Sequence, residues 1–172
     1  MKILVFGSRG LVGSSTVKTL KEKNIYKQII ASNRDDTNLF DYNSTYKTIS
    51  EENPDVIVNA AARVGGIVAN IKHKSEFIYE NLQIQNNLIH GSYLSGVKNL
   101  MLLGSSCIYP KFCKQPMKES YLLTGPLEES NDAYSLAKIA GIKMCEYYSS
   151  IYNLNYKSLM PPNLYGPNDN YN

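Results

Sequence analysis

The feature that most constrains the fold is a glycine-rich turn directly after an apolar run at the start of the chain. Residues Ile3–Phe6 are all apolar, as expected of a parallel strand covered on both faces. A helical pattern follows the turn, whose sequence is Gly7-Ser8-Arg9-Gly10-Leu11-Val12-Gly13. Strand, glycine turn and helix in this order predict a dinucleotide site, where backbone N–H groups and a helix N-terminus hold a pyrophosphate.

The spacing of these glycines separates two kinds of phosphate-binding turn. The intervals are three and three residues, which departs from the Gly-x-Gly-x-x-Gly pattern of dinucleotide-binding folds. A Walker-type loop is the competitor, but Gly13-Ser14-Ser15 lacks the lysine that such a loop requires. The position between strand and helix therefore favours a dinucleotide.

The end of the second predicted strand, Gln28–Ser32, indicates which dinucleotide. NAD-binding folds place an acidic residue there to bind the ribose hydroxyls. Here Arg34 precedes the first acid, Asp35, and Arg9 lies in the phosphate turn. Two guanidinium groups suit a ribose 2′-phosphate, so the sequence favours NADP over NAD, although both arginines could also be solvated surface residues.

Further apolar runs alternate with helical patterns along the chain. Strands are predicted at 55–59, 100–104 and 156–160, and helices over 70–95 and 131–152. This alternation predicts an α/β fold, a Rossmann-like doubly wound parallel sheet of about five strands. Small residues after the third strand, Ala60–Ala62, would let a flat cofactor approach the backbone.

Composition excludes several classes of function. The 172 residues are 43% hydrophobic and 19% charged with a net charge of +3, which suits one globular domain and gives no basic patch for nucleic acid. The three cysteines form no Cys-x-x-Cys pair, and neither histidine has a partner at metal-ligand spacing, so no metal site is expected. No signal peptide or membrane span is recognisable, and we expect a cytoplasmic protein.

A tyrosine and a lysine four residues apart form the second informative pattern. In a helix, Tyr134 and Lys138 would share one face, one turn apart. At roughly 5 Å and an effective dielectric near 20, their attraction is about 3 kcal/mol, enough to lower the tyrosine pKa by about two units. This would bring the phenol into the range of acid/base catalysis, although such pairs are also common on helix surfaces.

Three further polar residues directly follow the apolar run that ends at Leu103 and Gly104. It is expected to deliver Ser105, Ser106 and Cys107 to the carboxyl end of a strand, where open α/β sheets bind ligands. A long loop with several prolines then leads to the helix that carries the tyrosine and the lysine.

These features together resemble one family. The blocks that carry the likeness are Val64–Asn70, Gly104–Lys111, Lys114–Met117, Tyr134–Gly141 and Asn163–Pro167. With the glycine turn they resemble the GDP-L-fucose synthases, which are extended short-chain dehydrogenase/reductases. The resemblance covers nearly the whole chain but only the amino-terminal half or so of the family's usual length.

The resemblance implies a set of NADP(H) contacts. Residues 7–13 would hold the pyrophosphate, with Arg9 and Arg34 near the 2′-phosphate, and Lys138 would bind the ribose. The nicotinamide side would be lined by Leu103, Gly104, Ser105, Ser106, Pro161, Pro162, Asn163 and Leu164. Ser8 and Pro162 stand where the family more often has other residues.

The resemblance also implies a reaction, the NADPH-dependent 3,5-epimerisation and 4-reduction of GDP-4-keto-6-deoxy-D-mannose to GDP-L-fucose. Cys107 would move protons beside the keto group, together with a histidine beyond Asn172. Ser105 would hold the carbonyl oxygen, Tyr134 would donate the proton, and Lys138 would lower the tyrosine pKa.

By the same resemblance, residues 1–172 would be a truncated NADP-binding domain without most of the substrate domain. We expect such a chain to bind nucleotide and to turn over poorly. Its partners would be a GDP-sugar and a second copy of itself, packed through the two long helices, with no membrane partner. The alternatives are another nucleotide-sugar epimerase or dehydratase of the superfamily, or a nucleotide-binding module without turnover.

Overall fold

One parallel five-stranded sheet organises the chain. The computed structural model describes residues 1–167 and 169. The strands are β1 (Lys2–Phe6), β2 (Gln28–Ser32), β3 (Val56–Asn59), β4 (Asn99–Leu103) and β5 (Asn155–Leu159), in the order β2-β1-β3-β4-β5. The helices are α1 (Leu11–Lys23), α2 (Tyr42–Glu52), α3 (Ile67–Lys72), α4 (Lys74–Leu94) and α5 (Asp132–Tyr152).

The strand order determines where a ligand can bind. From β1 the chain moves to β2 on one side, and it then crosses back to β3 on the other side. The predicted doubly wound parallel sheet is thereby confirmed, and all predicted strands lie within one residue of the observed ones. The reversal creates a crevice at the carboxyl ends of β1 and β3, the place where open α/β sheets bind ligands.

The helices differ from the sequence prediction in two places. The single helix predicted over 70–95 is instead two helices that meet at His73, whose backbone (φ −126°, ψ 39°) is not helical. Helix α2 was not predicted, because it is short and buries only Thr45 and Ile49. Its N-cap is Asp41, whose carboxylate accepts a hydrogen bond from the Ser44 N–H.

The hydrophobic core lies mainly on one face of the sheet. There the buried strand residues Leu4, Ile57 and Leu102 pack against Leu88 of α4 and Ile142 of α5. On the other face, a smaller cluster joins Ile3 and Val5 to Val17 of α1. The core thus fixes the relative positions of the strand ends. Within the described residues, no helix has the length and apolar character needed to cross a bilayer.

Candidate active site

Two of the three glycines in the turn after β1 are required by the fold itself. Gly7 has φ +76°, and a Cβ added there would lie 2.6 Å from the Ala61 nitrogen. A Cβ on Gly13 would overlap the Gly7 carbonyl oxygen. At Gly10, by contrast, the nearest atom to such a Cβ is that same oxygen, at an ordinary 3.4 Å. Packing does not require glycine at position 10, whereas close approach of a ligand to the backbone would.

A cleft of about 610 Å³ lies beside this turn, at the carboxyl ends of β1, β2 and β3. Its lining includes Gly7, Gly10, Arg9, Arg34 and the predicted alanines 60–62. The open backbone at Gly10 and the flat wall of alanines leave room for a dinucleotide, so the residues of this cleft fit such a cofactor. The turn would hold its pyrophosphate, and the cleft its adenosine end.

The two predicted phosphate-binding arginines differ in their partners. Arg9 forms an ion pair with Asp35, and both side chains are more than two-thirds exposed. Arg34 is exposed and forms no ion pair within the described residues. Exposed pairs contribute only about 0–1 kcal/mol, so a phosphate could compete with Asp35 for Arg9.

A second group of residues lies where β4 and β5 end. The Gly104 N–H donates to the Leu159 carbonyl oxygen at 2.7 Å, and the Ser106 N–H donates to that of Pro161 at 3.2 Å. These bonds join the two segments predicted to line the nicotinamide, residues 103–106 and 161–164. The side chains of Pro162, Asn163 and Leu164 remain exposed.

The predicted Tyr-x-x-x-Lys pair lies on α5 and faces the end of β4. Lys138 is only 4% exposed, and its Nζ donates to the Leu103 carbonyl oxygen at 2.7 Å. The same Nζ lies 5.6 Å from the centroid of the Tyr134 ring. Burial lowers the pKa of Lys138 to about 8, because the ammonium group has lost most of its water.

The predicted lowering of the tyrosine pKa is wrong for this structure. The Tyr134 pKa is raised to about 12, mainly by burial of the phenol and further by the nearby Cys107, and only the Ser105 hydroxyl opposes them. Lys138 does not lower it. The sequence estimate assumed a solvated pair, whereas here both groups are withdrawn from water and desolvation outweighs attraction. Tyr134 is therefore held in its protonated form.

Ser105 and Cys107 lie at the beginning of a short 3₁₀ turn, Ser106–Ile108, directly after β4. The Ser105 hydroxyl accepts a hydrogen bond from the Cys107 N–H at 3.3 Å. The half-buried Cys107 sulfur accepts one from the Asn131 amide at 3.4 Å. The Cys107 backbone carbonyl oxygen accepts a hydrogen bond from the Ser135 hydroxyl at 2.9 Å. The structure thus brings the four predicted catalytic residues together at one end of the sheet.

Several neighbours of this group were missed by the sequence reasoning. The buried Phe77 ring meets the Tyr134 ring edge to face, with centroids 6.4 Å apart and planes at 79°. The Arg63 guanidinium lies over the Phe77 ring, 5.2 Å from its centroid, and pairs with Glu80. Asn131, which bonds to the Cys107 sulfur, is a further neighbour of this group. The sequence gives no signal for these contacts, because α4, which carries Phe77, and the loop after β3, which carries Arg63, come together only in the folded chain.

The match to known families decides the assignment of the chain. Residues 3–172 match the NAD dependent epimerase/dehydratase family. The chain belongs to this family. Within the described part of this epimerase/dehydratase chain, no group of three or more His, Cys, Asp or Glu residues could hold a metal ion.

Among its relatives, the GDP-L-fucose synthase of Escherichia coli is 46% identical over 99% of this chain and 53% of its own length. The putative GDP-L-fucose synthase 2 of Arabidopsis thaliana is 51% identical over 99% of this chain and 52% of its own length. The resemblance inferred from the sequence blocks is thereby confirmed. The epimerase/dehydratase chain spans about half the length of these curated relatives.

A solved structure of similar fold is the GDP-D-glycero-L-gluco-heptose synthase of Campylobacter jejuni, obtained in the presence of NADPH. It is 37% identical, with a TM-score of 0.92 over 99% of this chain and 50% of that chain.

Proposed function

We propose that residues 1–172 form the NADP(H)-binding unit of an enzyme that converts GDP-4-keto-6-deoxy-D-mannose to GDP-L-fucose. The observation that carries this proposal is the convergence of Ser105, Cys107 and Tyr134 beside the buried Lys138, at the carboxyl end of β4. NADP(H) is supported by the glycine turn and by the two arginines that line the cleft.

The reduction uses a hydride that the bound cofactor supplies. Because burial keeps the Tyr134 phenol protonated, it can donate a proton to the sugar carbonyl oxygen as negative charge develops there. The Ser105 hydroxyl, which lies next to the phenol, holds the same oxygen. Lys138, anchored on the Leu103 carbonyl oxygen, has further N–H donors for a ribose hydroxyl.

The epimerisation requires acid/base groups beside the keto carbon. A carbonyl acidifies the protons on both adjacent carbons, so one site can invert two centres if one group removes each proton and a second group delivers a proton to the opposite face. In this proposal Cys107 is one of the two groups, and a histidine beyond Asn172 is the other. Neither histidine of the described residues is suited, since His73 pairs with Glu76 and His90 bonds to the Tyr148 hydroxyl.

The direct test is NADPH consumption with the keto sugar, followed at 340 nm, with the product identified by NMR. It is run on the 172-residue chain and on a version extended to the length of the curated relatives. We expect the extended protein to form GDP-L-fucose and the short chain to bind NADPH but turn over slowly. Normal turnover by the short chain, or no turnover by the extended protein, would contradict the proposal.

The alternative substrate is a related GDP-keto sugar, which is favoured by the likeness to a heptose synthase. Offering GDP-4-keto-6-deoxy-D-mannose and a GDP-keto-heptose in competition separates the two, because the preferred sugar is consumed first. A nucleotide-binding module would bind NADPH and consume neither.

We also propose a homodimer formed through the outer faces of α4 and α5. These faces expose large apolar side chains, among them Tyr79, Tyr147 and Ile151, which are 60–70% exposed. Sedimentation of the chain and of Ile151→Glu tests this: a dimer should become a monomer in the variant.

A further inference from the structure

We propose that Asn131 is a positioning residue for Cys107, and that its side-chain amide stabilises the thiolate form of that cysteine by donating a hydrogen bond to the sulfur. This inference rests on the proposed function in one respect, the use of Cys107 as an acid/base group.

The Asn131 side chain does not perform the role that its place in the fold would give it. It stands at the N-cap of α5, where an asparagine usually accepts a hydrogen bond from a backbone N–H of the first turn, yet it makes no such bond. Its Oδ1 lies 3.5 Å from the Ser135 hydroxyl instead. Asp41 at the start of α2 does cap its helix. The Asn131 Nδ2 instead lies 3.4 Å from the Cys107 sulfur.

The segment that carries Asn131 is held from both sides by one lysine of another helix. The Nζ of Lys74, the first residue of α4, donates to the Glu129 carbonyl oxygen at 2.7 Å and pairs with the Asp132 carboxylate at 2.8 Å. Residues two before and one after Asn131 are therefore tied to α4. This restricts the directions in which the amide can point.

The cysteine is held equally firmly. Its N–H donates to Ser105 at 3.3 Å, and its carbonyl oxygen accepts from Ser135, one turn into α5, at 2.9 Å. The sulfur and the amide thus belong to two anchored segments. Cys107 also lies near the N-terminus of α5, whose positive end favours a thiolate.

The chemistry explains why a donor belongs there. In the proposed step the thiolate takes a proton from the carbon beside the carbonyl: an S–H bond forms, the C–H bond breaks, and its electron pair moves into the enolate. A hydrogen bond to a charged form favours that form. Of the nearby titratable groups, Tyr134 interacts with Cys107 and stays protonated because burial raises its pKa to about 12. Asp132, which follows Asn131 in the sequence, is paired with Lys74.

The test measures the thiolate directly by its rate of alkylation with iodoacetamide between about pH 6 and 9. A Cys113→Ser background leaves Cys107 as the accessible thiol, since Cys145 is 1% exposed. Asn131→Asp keeps the shape and the helix-capping ability but has no donor when ionised. We expect it to slow alkylation at pH 7 about tenfold and to move the profile to higher pH by about one unit, with a smaller effect for Asn131→Ala.

The matched control is Asn43→Asp, which adds the same charge at an exposed position in the first turn of α2. A shifted profile in both Asn131 variants, with a parent-like profile in this control, supports the inference. An unchanged profile in the Asn131 variants, or a parent whose thiol does not react across the range, overturns it. The readout needs neither sugar nor cofactor, so failure of the proposed function would appear only in the NADPH assay.

Discussion

Lys138 should destabilise this protein at neutral pH, and its removal should therefore stabilise the fold. Burial lowers its pKa from 10.5 to about 8. A shift of that size corresponds to about 3 kcal/mol, because each pKa unit is about 1.4 kcal/mol. The unfolded chain keeps the proton up to about 10.5 and the folded chain loses it near 8. The penalty is thus complete below pH 8, and stability recovers as the pH rises from 8 to 10.5.

Lys138→Met keeps the aliphatic stem and removes the charge. The variant also loses the hydrogen bond to the Leu103 carbonyl oxygen, which costs about 1 kcal/mol. The net expectation is a gain of about 2 kcal/mol in the free energy of unfolding at pH 7. At pH 9.5 the parent recovers about 2 kcal/mol, so the advantage of the variant should disappear.

Urea unfolding followed by circular dichroism at these two pH values measures the difference. Lys47→Met is the control, since its side chain is 72% exposed and should change little at either pH. Titratable groups that the parent and the variants share, such as Cys145, whose pKa burial raises to about 12, contribute equally to each free energy of unfolding and cancel in the difference. The reasoning is refuted if Lys138→Met is no more stable than the parent at pH 7, or if its advantage is the same at pH 9.5.

Three further predictions follow from the same geometry. Gly10→Ala should change the unfolding midpoint little but weaken NADPH binding, because the nearest atom to its Cβ lies at an ordinary 3.4 Å. Gly13→Ala should destabilise by about 3 kcal/mol, because its Cβ would overlap the backbone. Thermal unfolding and NADPH titration distinguish the two variants, and equal destabilisation would contradict the assignment. Arg34→Ala should raise the Kd for NADPH about tenfold or more and leave the Kd for NADH unchanged, since charge-assisted bonds to the 2′-phosphate contribute roughly 1.5–3 kcal/mol. If titrations show an equal loss of affinity for both cofactors, Arg34 does not contact the 2′-phosphate. Phe77→Leu should lower the free energy of unfolding in urea by about 1–2 kcal/mol. It should also slow NADPH consumption by the extended protein, because the ring that orients Tyr134 is lost. An unchanged rate would show that the contact is only structural.

The sheet could be predicted from the sequence because its signals are local. Ile3–Phe6 in β1 and Leu100–Leu103 in β4 are continuous apolar runs that end at a glycine, as expected of strands covered on both faces. The edge strand β5 has a mixed sequence, and the two prolines that follow it mark its end. Helix α2 escaped because a short surface helix with two buried residues has almost no periodic signal, and the break at His73 escaped because apolar residues continue on both sides of it.

For the candidate site, the sequence determined which chemical groups are available and which strand or helix carries each of them. Only the tertiary structure decided what those groups can do. The spacing of Tyr134 and Lys138 is a property of one helix, but their pKa values depend on how much water the rest of the fold removes, and burial reversed the expected direction for the tyrosine. Likewise, Asn131 reaches Cys107 only because α4 holds the start of α5 against the end of β4. Desolvation and contact between distant segments are set by packing, which no local pattern encodes.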